Sequence, residues 1–140
     1  TTLYSAAPNN KGIDMNRNFQ TSDYVTYKDD RNYNGTAAFQ AYEARYLRDF
    51  LLNNKSQNGQ TILIDLHGWL EETMGDNDLG EFYRNEIGLT KHISTYGRGY
   101  LINWARMALG NSNKVARTAL VELPPVSSHE ELISKNLAEK

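Results

Sequence analysis

The chain has 140 residues, of which 39% are hydrophobic and 11% aromatic, and its net charge at pH 7 is -2. Such a chain can bury a core and is typical of one globular domain rather than a disordered segment. Acidic and basic residues are interspersed and no apolar run approaches the roughly 20 residues of a membrane span, so we expect neither a nucleic-acid partner nor a membrane segment. Cysteine is absent, which excludes disulfides and thiolate metal sites.

The chain opens with TTLYSAAPNN, which has neither an initiator Met nor the pattern of a signal peptide. We therefore expect a mature or cut product. The stretch GIDMNRNF follows at residues 12–19, where the alternation of apolar and polar residues is typical of the end of a strand. Arg17 stands there between Asn16 and Asn18, and three adjacent polar residues at a strand end indicate a site.

The next segments predict a helix, a strand and a loop. Residues 36–54 carry apolar side chains at helical spacing, with Thr36 as a candidate N-cap. Residues 60–69, QTILIDLHGW, contain a continuous apolar run typical of a strand buried on both faces. Residues 70–95 are polar and rich in glycine, and we predict a long loop with short helical pieces.

The last third of the chain predicts a helix, a buried strand and a terminal helix. Residues 99–109 have helical periodicity, and residues 116–125, ARTALVELPP, form an apolar run that Pro124 and Pro125 end. Residues 128–140 predict an amphipathic helix that begins with a capping box of Ser128 and Glu131. Strands alternate with helices, and we see neither a repeat nor a linker. The predicted fold class is therefore α/β, with a mixed, mostly parallel sheet covered by helices in one unit.

Two predicted strands end on ionisable residues, His67 and Glu122. Functional groups gather at the strand ends of open α/β sheets because the crevice lies there. Burial of Glu122 behind Ala-Leu-Val would raise its pKa, which suits a general base near neutral pH. The residue pattern alone leaves open a satisfied histidine and a surface carboxylate with no chemical role.

The order of four motifs resembles that of the zinc-dependent metallocarboxypeptidase family. GIDMNRNF is followed by DLHG, then by Tyr96 ahead of INWA, and then by ALVEL. The segment YNGTAAFQAYEARYLRDFL is also similar to the family's Gly-x-x-Ala-x-x-x-x-Glu helix. The resemblance runs from about residue 12 to the C-terminus. It implies a zinc-carboxypeptidase-like fold and the removal of C-terminal residues from peptides.

The resemblance assigns Asn16 and Arg17 to the pair that grips the free C-terminal carboxylate of a peptide substrate. A planar guanidinium offers a two-pronged match to a carboxylate, and a neighbouring amide adds a donor. The alternative is a structural arginine that pairs with Asp14. Ile102 falls where the family lines the pocket for the terminal side chain, and an aliphatic residue there argues against Lys or Arg ends.

The remaining roles implied by the resemblance concern the reaction itself. His67 matches the last zinc ligand, and Glu122 matches the base that takes a proton from zinc-bound water. Tyr96 matches the mobile tyrosine that closes over the substrate, with nearby glycines as a hinge. Tyr100 is a competing candidate for that tyrosine, because the spacing from Tyr96 to the Asn-Trp pair differs slightly from the common family pattern.

The family's first two zinc ligands come from a His-x-x-Glu motif upstream of the Asn-Arg pair, and this chain lacks that motif. Its three histidines are His67, His92 and His129, and none has Glu at the third following position. A catalytic zinc site needs three protein ligands. We therefore expect residues 1–140 to be the C-terminal portion of a catalytic domain, inactive alone and binding zinc weakly or not at all. The missing strands would leave an exposed sheet edge, through which we expect self-association.

Three functions remain open at this point. The first is a zinc peptidase that removes C-terminal residues from ordinary peptides, and the second is a peptidase of the same family that cuts cell-wall peptides containing diaminopimelate. The third is a non-catalytic module that binds peptide C-termini, against which a buried Glu122 argues. We expect a secreted or cell-envelope location.

Overall fold

The computed structural model describes residues 12–27, 31–112 and 114–134. The elements in chain order are a short 3-10 helix, Met15–Arg17, and then α1 Tyr42–Asn54, β1 Ile62–Gly68, β2 Glu72–Gly75, α2 Asn77–Ile87, β3 Lys91–Ile93, α3 Leu101–Ala108, β4 Arg117–Leu123 and α4 His129–Ser134. Two compact units form, which are described separately. The first unit comprises Thr1–Ile62 and Tyr96–Ala116, and the second comprises Leu63–Thr95 and Arg117–Lys140.

The predicted α/β class is confirmed, with the sheet in the second unit apart from the first residue of β1. The four strands follow the order β1-β4-β2-β3. Strand β2 pairs parallel with β3 and antiparallel with β4, so the sheet is mixed. Helix α2 packs against β2, β3 and β4 and covers this part of the sheet. That residues 1–140 are part of one catalytic domain stays a prediction.

Strand β1 forms where the apolar run predicted it, but the expectation that it is buried on both faces is wrong. Ile62 is 58% exposed and Leu66 is 64% exposed. The physical reason is that side chains on a sheet face are buried by the element packed over it, and helix α2 packs over β2, β3 and β4, whereas β1 lies beyond β4 at the end of the strand order. By contrast, β4 lies between two strands, and its central residues from Thr118 to Val121 are buried as predicted.

The prediction of a long loop over residues 70–95 is wrong, because β2, α2 and β3 form there. Asp76 caps α2, since its carboxylate accepts the backbone N–H of Leu79 at 3.1 Å, and the left-handed Gly88 ends the helix. Gly80 lies in the middle of α2, where a Cβ would fall 2.2 Å from the ring of His92. The glycine that weakened the helical pattern is therefore the residue that lets α2 approach β3.

Two helix boundaries refine the sequence expectations. Helix α1 begins at Tyr42 and not after Thr36, whose N–H and hydroxyl both donate to Gln40. At the other end of the chain, the Ser128 hydroxyl accepts the N–H of Glu131 at 3.1 Å, which is one half of the predicted capping box. The Glu131 carboxylate accepts the N–H of Ser127 at 2.7 Å, one residue before the predicted partner. The rest of the predicted terminal helix, residues 135–140, lies outside the described residues.

The core of the first unit joins the segment after residue 12 to helix α3. The rings of Phe19, Phe39 and Trp104 form a cluster in which each pair of centroids is 5.7 Å apart. Ile13 and Ile102 are fully buried in the same unit. The start of α3 and the Asn-Arg pair are thereby carried on one packed core. Among the described helices, none combines the length and apolar character that crossing a membrane requires.

Candidate functional site

The segment of the Asn-Arg pair is a 3-10 helix in the first unit, in place of the predicted strand end. Asp14 caps this helix, and its carboxylate accepts the N–H of Asn16 at 3.1 Å. The half-buried Arg17 donates from Nη1 to the carbonyl of Asn16 at 3.0 Å. None of the ion pairs among the described residues includes Arg17. The alternative that Arg17 serves as the ion partner of Asp14 therefore has no support.

Asn16 has a structural contact in addition to its predicted role. Its side-chain oxygen accepts the backbone N–H of Leu101 at 2.8 Å, across 85 positions of sequence. Leu101 is the first residue of α3, and Tyr100 at the cap position provides no side-chain hydrogen bond. Asn16 thus supplies from a distant segment the acceptor that the start of α3 otherwise lacks.

Asn18, the third polar residue of the opening stretch, belongs to the scaffold and not to the site surface. It is fully buried, and its amide nitrogen donates to the carbonyls of Asn34 at 2.5 Å and Ala37 at 2.8 Å. Its oxygen accepts the N–H of Ala41 at 2.9 Å. Asn18 therefore anchors the chain directly after the Asn-Arg pair to the loop before α1.

The two candidate tyrosines lie against different arginines of the first unit. The ring of Tyr96 lies under the guanidinium of Arg106, with 5.0 Å between the guanidinium carbon and the ring centroid. The ring of Tyr100 lies under the guanidinium of Arg17, with 4.1 Å between the guanidinium carbon and the ring centroid. Ile102 has no exposed surface, and its contact with a substrate side chain stays a prediction.

His67 lies on β1 in the second unit, and its Nε2 is 3.1 Å from a carboxylate oxygen of Asp65. The two residues share one face because they are two positions apart on a strand. Histidines that bind metals commonly place their second ring nitrogen against a carboxylate in this way. Sequence reasoning assigned no role to Asp65, although the alternation of the strand was the signal for it.

Glu122 lies on β4, next to β1 in the sheet, opposite Glu72 in the pairing with β2. Its Oε2 is a buried oxygen with no hydrogen-bond partner among the described residues. Burial raises the pKa of the Glu122 carboxyl, against the opposing effect of His67, and the nearby Glu72 raises it further. The carboxyl is therefore poised to hold or accept a proton nearer to neutral pH than an exposed glutamate.

The described residues do not provide a complete zinc site. A catalytic zinc needs three protein ligands, and the described part of the chain holds no group of three or more His, Asp or Glu side chains placed to bind a metal ion. His67 with its Asp65 partner has the chemistry of a single ligand. The described residues offer instead a half-buried guanidinium, one imidazole and a carboxyl with a raised pKa.

The structure thus places the predicted residues in two sets. Asn16, Arg17, Tyr96 and Ile102 lie in the first unit, and His67 and Glu122 lie in the second. All residues of one set therefore belong to the same compact unit. That both sets face a single cleft stays a prediction.

Comparison with known proteins gives the family of the chain. The chain belongs to the zinc carboxypeptidase family, whose sequence model matches residues 3–112. A relative, Bacteriocin BCN5 of Clostridium perfringens, is 32% identical over 132 residues, which are 91% of this chain and 14% of that protein. The chain therefore spans about one seventh of the length of the curated relative it matches. No solved structure matches the chain.

Proposed function

We propose that the parent protein hydrolyses the C-terminal peptide bond of peptides. This chain is the C-terminal portion of its catalytic domain. It supplies the carboxylate clamp, which is formed by Asn16 and Arg17, together with the zinc ligand His67 and the general base Glu122. The observation that carries the proposal is the half-buried Arg17, which is held at its Nη1 while no described carboxylate pairs with it. A guanidinium in this state favours a carboxylate ligand, because the ligand would replace the hydration that partial burial removes.

The environment of Glu122 supports catalysis over a module that only binds peptides. A binder gains nothing from a carboxyl whose buried Oε2 has no hydrogen-bond partner among the described residues, since such a group destabilises the folded chain. An enzyme gains a base whose pKa is raised toward the working pH. Glu122 lies at the carboxyl end of β4, and α/β enzymes place functional groups at the carboxyl ends of their strands.

Zinc enters this proposal at the level of the parent protein. Zinc carboxypeptidases use the metal as a Lewis acid. His67 would be one ligand, held by Asp65, and the other ligands would come from a His-x-x-Glu motif elsewhere in the parent protein. The 140-residue chain alone is then inactive and a weak zinc binder.

A second candidate substrate is a cell-wall peptide that contains diaminopimelate. The name of the relative, a bacteriocin, supports a secreted protein. The clamp does not distinguish the two substrates, since both present a free carboxylate to a guanidinium. Hydrolysis of a stem tetrapeptide in preference to an ordinary peptide of equal length would favour this second candidate.

The test of the proposed function uses Arg17→Ala and Arg17→Lys in the parent protein. With acetylated peptides that have a free C-terminus, we expect kcat/KM to fall by roughly 10- to 100-fold in Arg17→Ala, because a hydrogen-bonded charge pair is lost. Arg17→Lys keeps the positive charge but not the planar, bidentate guanidinium, and should recover part of the lost kcat/KM. Zinc content should equal that of the wild type in both variants. Equal hydrolysis of acid and amide substrates by the wild type would contradict the clamp.

A further inference from the structure

The segment that carries Tyr100 is fastened to the segment that carries Arg17. Phe19 donates its N–H to the carbonyl of Gly99 at 3.1 Å, and Gly99 donates its own N–H to the hydroxyl of Thr21 at 3.1 Å. The backbone N–H of Leu101 donates to the side-chain oxygen of Asn16 at 2.8 Å. Three hydrogen bonds therefore join residues 16–21, which include Arg17, to residues 99–101, which include Tyr100.

Gly99 permits this contact because it has no side chain. Its φ is +74°, and a Cβ at this position would lie 2.3 Å from the carbonyl oxygen of Arg17 and 2.8 Å from its carbonyl carbon. Those atoms are backbone and cannot rotate away. Any side chain at residue 99 would displace the peptide that carries the guanidinium.

The guanidinium itself is held at two points. Its Nη1 donates to the carbonyl of Asn16 at 3.0 Å, and its central carbon lies 4.1 Å from the centroid of the Tyr100 ring. A hydrogen bond at one nitrogen leaves the plane free to rotate about that bond. The aromatic face removes this freedom, because a cation over a ring is attracted to the face and a planar guanidinium stacks on it.

We propose that Tyr100 is a positioning residue that orients Arg17 for the C-terminal carboxylate of the substrate. The inference rests on the proposed clamp function of Arg17. An arginine side chain loses substantial rotamer freedom when it binds, and a guanidinium that is already oriented loses less. Tyr100 acts through its ring in this role. The hydroxyl contact with the substrate is left to Tyr96, which lies against Arg106.

The experiment compares Tyr100→Phe with Tyr100→Leu in the 140-residue chain. The probes are N-acetyl-Ala-Leu with a free carboxylate and the same dipeptide as its C-terminal amide, titrated against 15N-labelled chain by NMR. Removal of the aromatic face should weaken binding of the acid about 5- to 10-fold in Tyr100→Leu. Tyr100→Phe keeps the face and should restore binding to within about twofold of the wild type. The amide should bind equally weakly to all three proteins.

A spectroscopic signature tests the ring contact in the wild type, without dependence on how well a variant folds. Hydrogens over an aromatic face are shielded by its ring current, so the Arg17 side-chain N–H resonances should lie upfield. They should stay upfield in Tyr100→Phe and return to ordinary positions in Tyr100→Leu. Ordinary positions in the wild type would overturn the proposal.

A matched pair of glycine variants tests the approach of the two segments. Gly99 and Gly88 both have φ near +75°, but a Cβ at Gly88 would have no atom within 4 Å. Both alanine variants therefore carry the same backbone strain, and only Gly99→Ala should lose the preference for the acid. Equal loss in both variants would overturn the role of the contact between Gly99 and Arg17.

The failure of this proposal differs from the failure of the clamp. If the wild type binds acid and amide equally, or if Arg17→Ala keeps the preference for the acid, the proposed function fails and the positioning role with it. If Arg17→Ala loses the preference while Tyr100→Leu binds like the wild type, only the positioning role is overturned. If Tyr100→Phe is as weak as Tyr100→Leu, the hydroxyl and not the ring is the active feature, which also overturns it.

Discussion

Replacement of Asn18 should show how far the site depends on a buried amide behind it. In Asn18→Ala, the N–H of Ala41 loses its acceptor, and Ala41 is fully buried away from bulk water. One buried, unsatisfied donor costs about 1 to 3 kcal/mol. The carbonyl of Asn34 keeps the hydroxyl of Tyr24 at 3.1 Å, and the exposed Ala37 can be hydrated, so their contribution is small. With the cavity left by the amide, the total loss is about 2 to 4 kcal/mol.

Asn18→Asp should be worse than Asn18→Ala, although it is the smaller change in shape. The carboxylate keeps an acceptor for Ala41 but places an oxygen where the amide nitrogen donated to two carbonyls, at 2.5 and 2.8 Å. The variant buries either a charge or a repulsive pair of acceptors. We expect a loss at least about 1 kcal/mol larger than in Asn18→Ala. Asn58→Asp makes the same chemical change at an exposed residue and should be within about 0.5 kcal/mol of wild type.

The assay is urea unfolding followed by the fluorescence of Trp104, whose ring packs 5.7 Å from Phe19. A Trp69→Phe background removes the other tryptophan, which is 69% exposed in the second unit. For a slope of about 2 kcal/mol per molar urea, the Asn18→Ala midpoint should fall by about 1 to 2 M. If Asn18→Asp unfolds at or above the midpoint of Asn18→Ala, the assigned amide orientation and the reasoning from it are refuted.

Three further predictions concern other parts of the molecule. Asp76→Ala should destabilise the chain by about 1 to 2 kcal/mol at neutral pH, because Asp76 both caps α2 and receives two hydrogen bonds from Arg117 at 2.6 and 3.1 Å. The hydrogen bond from Arg117 lowers the pKa of Asp76. The contribution of Asp76 to stability is therefore present above the unfolded pKa of about 3.9 and is lost as the pH falls through the lower folded value. A stability difference between wild type and Asp76→Ala that grows below pH 4 would contradict this. Equilibrium dialysis of the 140-residue chain should find less than stoichiometric zinc, and one tight equivalent with peptide hydrolysis would overturn the proposed division of ligands. Sedimentation should show self-association that Leu66→Lys reduces, because Leu66 is 64% exposed on β1 at the end of the strand order, and a wild-type monomer at all concentrations would count against it.

Local patterns predicted most of the elements correctly where one period dominates the segment. Strand β4 follows from an uninterrupted apolar run, and α3 follows from apolar residues at helical spacing. Residues 70–95 defeated the same approach, because β2 has four residues, β3 has three, and Gly80 interrupts the pattern of α2. The caps of that helix, Asp76 and Gly88, were visible signals, yet the close approach of Gly80 to His92 is not a local property.

The sequence alone determined which residue types are available for chemistry: a guanidinium beside an amide, an imidazole after an apolar strand, and a glutamate at the end of another. The order of these motifs was enough to indicate the family that the comparison then showed. The tertiary structure decided what each side chain does. It placed Asn18 inside the scaffold, gave Asn16 a second task at the start of α3, left one face of β1 exposed, and brought Tyr100 under Arg17. Those outcomes depend on contacts between residues that are up to 85 positions apart, and periodicity along the chain carries no information about them.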